Sequence, residues 1–256
     1  MKRQRILALV KIQFKSLIRV PTALFVLLVL PIALTLIMGL AFGSVVVEGY
    51  GWSTQTGTVF EFMVPGLFAL NGLFLGMTVA LSFAEDREQG LLKRINTTPT
   101  TSAEFMGSHL ISNMIMAIIQ VAIIGLLSFL MGYRPDGAIA GMILAFVFMV
   151  IFSLSSVGFG LITATIAKSA KAAGGIIWIF ILPQQMLASG LYPLPPSTRV
   201  ISMFMPLHYA SDALILLFNG VALNDLRIWW DLLVLIMFSL VIVIAGILLF
   251  KKYGKV

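Results

Sequence analysis

The chain has 256 residues, of which 60% are hydrophobic and 11% are charged, with a formal net charge of +7 and no cysteine. Soluble domains carry roughly 25% charged residues, so this composition excludes a water-soluble globular protein and indicates a polytopic membrane protein. The lack of cysteine excludes disulfides and thiolate metal sites.

Residues 1–20 predict an amphipathic helix that lies on the membrane surface. Lys11, Lys15 and Arg19 recur every four residues on one face, and apolar residues occupy another. A basic helix of this kind is attracted to anionic headgroups while its apolar face enters the interface. Pro21 then ends the helix. A simple membrane anchor is the alternative role.

Long apolar runs predict an all-α fold with six transmembrane helices. About twenty apolar residues are needed to cross a hydrocarbon core of about 30 Å. The predicted spans are Thr22–Phe42, Val59–Phe83, Phe105–Met131, Ala138–Ala167, Ala172–Leu191 and Trp230–Phe250. Pro183 falls inside the fifth span, and the apolar stretch Leu191–Gly220 that follows is broken by four prolines.

The basic residues predict that both termini are cytoplasmic, because cytoplasmic segments of membrane proteins carry an excess of Lys and Arg. With this orientation only Arg134, Arg199 and Arg227 lie outside. Fourteen basic residues lie inside: Lys2, Arg3, Arg5, Lys11, Lys15, Arg19, Arg87, Lys93, Arg94, Lys168, Lys171, Lys251, Lys252 and Lys255. The positive charge therefore marks membrane topology, and no nucleic-acid partner is expected.

The sequence offers no catalytic, cofactor or metal site. It contains neither the GxxxxGK[ST] loop that cradles nucleotide phosphates nor HExxH. His109 and His208 are assigned to opposite sides of the membrane as interfacial or helix-end residues. The spans hold no Asp, Glu, Lys or Arg away from their ends, so ion-coupled transport lacks its usual intramembrane group. Energy for uphill transport would have to come from another chain.

Neutral polar residues inside the spans can line a path for an amphiphilic substrate or can hydrogen-bond to a neighbouring helix. Gln184 and Gln185 are the best candidates for a path, because Pro183 frees a backbone carbonyl beside them. The candidate translocation residues are Asn71, Phe74, Gln184, Gln185 and Tyr192.

The connector at residues 84–104, between the second and third spans, predicts a docking element for a soluble partner. It combines charges of both signs with an apolar cluster and a Thr-Pro step that breaks a helix. An ordinary solvated loop is the alternative. The candidate docking residues are Glu85, Arg87, Glu88, Gly90, Leu91, Leu92, Lys93, Arg94, Thr98 and Pro99.

This connector resembles the cytoplasmic loop of permease subunits in the type-2 family of ATP-binding-cassette exporters. The shared elements are Glu85-Asp86-Arg87-Glu88, Gly90, Leu91-Leu92, Lys93-Arg94 and Thr98-Pro99. A second region is similar to the stretch after the fifth span of that family. Its matching elements are Ser189-Gly190, Pro193, Pro195-Pro196, Pro206-Leu207, Tyr209-Ala210 and Asp212-Ala213.

The resemblance implies that residues 1–256 form a single transmembrane domain in a plasma (prokaryotic inner) membrane. This permease would pair with a second copy or a close paralogue and with two ATP-binding subunits, which hold the ATP and Mg. The interfacial helix and the connector would contact those subunits, and residues 191–224 would form short re-entrant outer helices.

The implied function is export of an amphiphilic or hydrophobic compound, such as a drug, antibiotic or lipid, without enzymatic activity in this chain. Two alternatives stay open: export of a lipid-linked polysaccharide, and a membrane anchor for a soluble ATPase that transports nothing.

Overall fold

A computed structural model describes residues 2–19, 25–50, 53–90, 102–187, 191 and 195–253. Most of them are helical. The helices are α1 (Lys2–Arg19), α2 (Leu30–Phe42), α3 (Val59–Glu88), α4 (Ser102–Leu130), α5 (Ile139–Ile166), α6 (Ala170–Ile176), α7 (Trp178–Met186), α8 (Pro196–Ser202), α9 (Pro206–Phe218) and α10 (Leu226–Tyr253). A π-helical turn at Phe25–Val29 precedes α2, and the strands β1 (Val46–Tyr50) and β2 (Ser53–Thr58) follow it.

Four helices within the described residues are long and apolar enough to cross a membrane. They are α3, residues Gly107–Leu130 of α4, α5, and residues Leu226–Phe250 of α10. These four correspond to the predicted second, third, fourth and sixth spans. The chain is therefore a helical membrane protein.

The predicted count of six spans is not confirmed. Residues 22–24 of the first predicted span lie outside the described residues, and its described part holds an apolar helix, Leu27–Phe42, that is shorter than the four above. The fifth is interrupted at Ile177, which separates α6 from α7. Gly174 and Gly175 directly precede this interruption, and glycine weakens a helix interior. Short helices α8 and α9 occupy the stretch predicted to re-enter the membrane, and their re-entry stays a prediction.

A β-hairpin that was not predicted joins α2 to α3. Val46 pairs with Thr58 and Val47 with Gly57 in antiparallel register. Valine and threonine favour the pleated backbone, and both are frequent on these strands. The hairpin leads directly into α3, where Thr58 and Glu61 form a capping box. The two reciprocal hydrogen bonds satisfy amide groups that the helix start would otherwise leave without partners.

Helix α3 forms the centre of the packing and is buried along most of its length. It crosses α5 at close range, because both helices present glycine at the crossing. A Cβ atom on Gly160 would lie 2.5 Å from the carbonyl oxygen of Gly76, and one on Gly76 would lie 2.6 Å from that of Ser156. Small residues allow helix backbones to approach in this way. The small-residue face at Gly72 and Gly76 therefore packs on α5.

Helix α10 packs on the opposite side of α5 through buried serines. The hydroxyl groups of Ser155 and Ser239 lie 2.6 Å apart, and Ser239 also donates toward the carbonyl oxygen of Ile151 at 3.0 Å. Both side chains are buried. These serines act as hydrogen-bonded contacts between two helices, which is the structural role that neutral polar residues often take in membranes.

Candidate functional site

In the structure, helix α3 extends into the first part of the predicted connector. Helix α3 continues past Phe83 to Glu88, so Glu85, Arg87 and Glu88 lie on its last turn and not in a loop. Two residues beyond the helix end lies Gly90, whose φ of 68° is in the left-handed region that favours glycine. The predicted membrane span ended at Phe83 because hydropathy falls at the charged residues, whereas the helix itself continues through them to Glu88.

The remaining docking residues of the prediction lie outside the described residues. They are Leu91, Leu92, Lys93, Arg94, Thr98 and Pro99. Among the candidate translocation residues, Tyr192 also lies outside them.

Arg87 binds the carbonyl end of α5. Its Nη1 donates to the carbonyl oxygen of Thr165 at 3.3 Å, and its Nη2 donates to that of Ala167. The last carbonyls of a helix lack partners within the helix and carry a partial negative charge. The guanidinium therefore caps α5 from a neighbouring helix.

Glu88 binds the amide end of α6 in the complementary way. Its Oε1 accepts a hydrogen bond from the main-chain N–H of Ala170 at 3.0 Å. A carboxylate at a helix N-terminus is favoured by the helix dipole, and Ser169 caps the same turn by accepting from Ala172 N–H at 3.0 Å. We refer to the contacts of Arg87 and Glu88 with residues 165–170 as the α3–α5–α6 joint.

The same end of α3 also contacts α4 and, through it, α1. The Oδ2 atom of Asp86 lies 3.7 Å from Nε2 of His109, and the His109 ring lies 5.1 Å from that of Phe83. Next to His109, Ser108 accepts a hydrogen bond from Gln13 of α1 at 2.9 Å. His109 is buried within the protein near the start of α4, and its predicted position at the membrane interface stays a prediction. The base of the predicted connector is thus bound to α4, α5 and α6.

The described translocation candidates do not converge on a common path. Asn71 and Phe74 are buried in α3, and Gln184 is buried in α7. Asn71 donates to the carbonyl oxygen of Leu67, and Gln184 to that of Phe180, each four residues back in its own helix. No hydrogen bond in the described part of the chain links Asn71 to Gln184.

Each of these two side-chain amides nevertheless has one polar atom that makes no hydrogen bond within the described residues. The side-chain oxygens of Asn71 and Gln184 are buried and have no hydrogen-bond partner among the residues that the structure describes. Gln185 is half-buried. A buried acceptor without a partner is costly in an apolar interior, so these two oxygens are the sites in α3 and α7 most suited to meet a polar group.

A polar cluster between α8 and α9 was missed by the sequence analysis. Asp212 Oδ2 lies 3.6 Å from Nη2 of Arg199 and 3.7 Å from Nε2 of His208. The other ring nitrogen of His208 lies 3.2 Å from the Ser202 hydroxyl. His208 is buried in the first turn of α9 and is part of this network. The four-residue spacing of His208 and Asp212 on a helix was the signal that could have revealed this pair.

Comparison with known proteins identifies the family. Residues 4–219 match the family described as ABC-2 type transporter, so the chain belongs to that family. This confirms the resemblance drawn from the connector and from the stretch after the fifth predicted span.

Individual relatives are similar at low identity. The chain is 27% identical over 182 residues to the probable multidrug ABC transporter permease YbhR of Escherichia coli, covering 68% of this chain and 48% of the relative. It is 20% identical over 206 residues to the daunorubicin resistance permease DrrB1 of Streptomyces coeruleorubidus, covering 79% and 70%. The inner membrane transport permease YhhJ of E. coli is 28% identical over 173 residues, covering 65% and 45%. The chain therefore spans about half the length of YbhR and YhhJ.

Proposed function

We propose that this chain is the membrane-spanning subunit of an ATP-driven exporter of an amphiphilic or hydrophobic compound. It works with a second copy of itself or a close paralogue and with two separate ATP-binding subunits, which hold ATP and Mg and carry out the hydrolysis. The proposal places both termini in the cytoplasm and the protein in the plasma (prokaryotic inner) membrane. The similarity to YbhR, a probable multidrug permease, and to DrrB1, a daunorubicin resistance permease, supports this cargo class.

The observation that carries the proposal is the α3–α5–α6 joint. A docking connector is useful to a transporter only if its displacement reaches the helices that line the path. Arg87 and Glu88 lie immediately before the connector, and they attach α3 to the end of α5 and to the start of α6. A pull on the connector would therefore move three helix ends together. Charged hydrogen bonds are suited to this work, since each contributes about 1.5–3 kcal/mol.

The cargo would meet the buried oxygens of Asn71 and Gln184 as two separate polar contacts, one on α3 and one on α7. An amphiphile with a hydrogen-bond donor gains by meeting an acceptor that otherwise has no partner. Both helices also carry buried apolar side chains, such as Phe74 of α3 and Ile181 of α7. This arrangement supports a mainly hydrophobic cargo with few polar groups.

ATP hydrolysis in lipid vesicles tests the proposal. The chain would be reconstituted with the ATP-binding protein encoded beside it and exposed to a panel of amphiphiles. We expect one chemical class to stimulate hydrolysis. The double substitution Leu91→Asp and Leu92→Asp should abolish assembly with the ATP-binding subunit, because apolar contacts would become unpaired charges. The matched control is Leu223→Asp in the loop between α9 and α10, which should leave assembly intact.

Two results would contradict the proposal. If the double variant still assembles and hydrolyses ATP normally, then the connector is not the docking element. If hydrolysis is flat across the panel while the complex is intact, then a lipid-linked polysaccharide cargo or a non-transporting anchor replaces an amphiphile exporter. Loss of surface polysaccharide in a strain without this chain separates those two alternatives.

A further inference from the structure

An apolar cavity lies where α4 ends and α5 begins. It is a part-open cavity with a volume of about 60 Å³. Its walls include Phe68 of α3, Gly125 and Phe129 of α4, Tyr133 of the following loop, Ala145 of α5 and Phe218 of α9. The rings of Phe68 and Tyr133 both meet Phe218 edge-on, with centroids 5.3 and 5.9 Å apart.

The cavity opens toward the membrane. Phe129 and Met142 both line it, and they are 51% and 41% exposed. The mouth therefore lies between α4 and α5, which are both long enough to cross a bilayer. The neighbouring residues Leu126, Leu130 and Ile143 are also exposed and apolar. A surface of this composition at membrane depth faces lipid chains.

Water is a poor occupant for this cavity. A buried water needs two to four polar partners, and the walls are almost entirely hydrocarbon. Burial, together with the charges of Asp136 and Glu61, raises the pKa of the Tyr133 phenol, so the nearest ionisable wall residue stays neutral. An empty apolar space forfeits dispersion contacts, and a hydrocarbon chain entering from the bilayer restores them.

A cation is held at the mouth of the cavity. The Arg134 guanidinium lies 3.7 Å from the centroid of the Phe129 ring. Its Nη1 donates to the carbonyl oxygens of Phe129 at 2.6 Å and Tyr133 at 2.9 Å. These contacts fix the group beside the opening. Within the described part of the chain, Nη2 and Nε of Arg134 have no hydrogen-bond partner.

Arg134 differs in this respect from the other two basic residues assigned to the outer side. Arg227 is paired with Asp225 at 2.7 Å, and hydrogen bonds from Arg227 lower the pKa of Asp225 to about 2. Arg199 lies 3.6 Å from Asp212. Asp136 is close in sequence to Arg134, but no ion pair joins their side chains among the described residues. The main-chain N–H of Asp136 donates to the carbonyl oxygen of Phe218. Arg134 is thus available to an external anion.

We propose that this cavity binds one acyl chain of an anionic phospholipid, with the phosphate group of that lipid bound to Arg134. Hydrocarbon walls beside a guanidinium match the two ends of such a molecule. Arginine suits the headgroup, because its donors match two phosphate oxygens at once. The site is distinct from the cargo contacts proposed above, since neither Asn71 nor Gln184 lines it and it opens to the bilayer.

Native mass spectrometry of the delipidated full chain tests this site. The probes are phosphatidylglycerol and diacylglycerol, which lacks the phosphate, with identical acyl chains. We expect phosphatidylglycerol to bind more tightly, and Arg134→Gln to lower its affinity about tenfold, toward that of diacylglycerol, as loss of one charged hydrogen bond predicts. The matched control is Arg227→Gln, which removes the same charge from a residue already paired and should have no effect.

Substitutions that fill the cavity test the acyl-chain part separately. Ala145→Leu should weaken binding of both lipids, since the side chain occupies the same space. Gly125→Ala is a milder variant, because the added methyl group would meet Phe68 at 3.5 Å, an ordinary contact. The proposal is overturned if Arg134→Gln and Arg227→Gln act equally, or if folded cavity variants bind both lipids as well as the unmodified chain.

Discussion

Gln120 of α4 donates a hydrogen bond from its side-chain amide to the main-chain carbonyl of Leu27, in the π-helical turn before α2. Pro31 lies four residues after Leu27 and has no N–H, so it cannot supply the usual helical hydrogen bond to that carbonyl. Gln120 and Leu27 are both buried. A residue 93 positions away in the sequence thus satisfies a backbone group that proline leaves without its partner.

This relationship predicts that the stability lost on removing the Gln120 donor depends on the presence of Pro31. Gln120→Met keeps the size of the side chain and removes its donor, so it should lower the free energy of unfolding by about 0.5–1.5 kcal/mol. Pro31→Ala restores a backbone N–H that can bond to Leu27. In the Pro31→Ala background, Gln120→Met should therefore lower the free energy of unfolding by a clearly smaller amount. Unfolding in mixed detergent micelles measures all four variants, and equal costs in both backgrounds would refute the explanation.

A second prediction concerns Arg87. It distinguishes docking of the ATP-binding subunit from transmission of movement to the membrane helices. Arg87→Gln should leave assembly with the ATP-binding subunit intact, because the apolar part of the connector is unchanged. It should lower cargo-stimulated ATP hydrolysis and export at least tenfold, because the end of α5 loses its cap from α3. Co-purification and vesicle transport measure these two properties on one preparation.

Glu88 supplies the control for the joint. The side-chain oxygen of a glutamine can still accept from the Ala170 N–H, so Glu88→Gln should retain most transport, whereas Glu88→Ala should not. If Arg87→Gln instead abolishes assembly, then the last turn of α3 belongs to the docking surface itself. If it alters nothing, then the joint has no part in transmission.

The crossing of α3 and α5 predicts a large effect of a small substitution. Gly160→Ala places a methyl group 2.5 Å from the carbonyl oxygen of Gly76, so the helices must separate. The expected loss of stability is about 1–3 kcal/mol, as for other overpacked cores. Gly175→Ala is the control, since nothing lies within 4 Å of its added methyl group. If the two variants have comparable midpoints of thermal unfolding, then α3 and α5 are not closely packed at this crossing.

The long helices could be predicted from sequence because each depends on a local property. The prediction for α3 begins at Val59, as the structure does, and the spans for α4 and α5 end within one residue of the observed helix ends. Continuous hydropathy is sufficient for this, since a helix satisfies its backbone within one segment. The fifth span was harder to predict, because its helix continues through Pro183 and is interrupted earlier in the chain, at Ile177.

The candidate site was predictable only in part, because its contacts join distant segments. The sequence singled out Arg87 and Glu88 for their charge, but their partners are main-chain groups of Thr165, Ala167 and Ala170. Backbone groups carry no sequence signature, so no motif reveals such a cap. The same holds for Gln120 and the carbonyl of Leu27.

The membrane orientation is the last prediction, and the composition of the chain makes it simple to test. The sequence contains no cysteine, so any introduced cysteine is the only labelled site. Ala222 and Lys168 are exposed, and they lie in loops that follow α9 and α5. We expect a membrane-impermeant thiol reagent to label Ala222→Cys on intact cells, and to label Lys168→Cys only after permeabilisation. The basic residues concentrated on one side provide the physical reason. Labelling of Lys168→Cys on intact cells, with Ala222→Cys protected, would invert the topology and place the α3–α5–α6 joint outside, where no ATP-binding subunit could reach it.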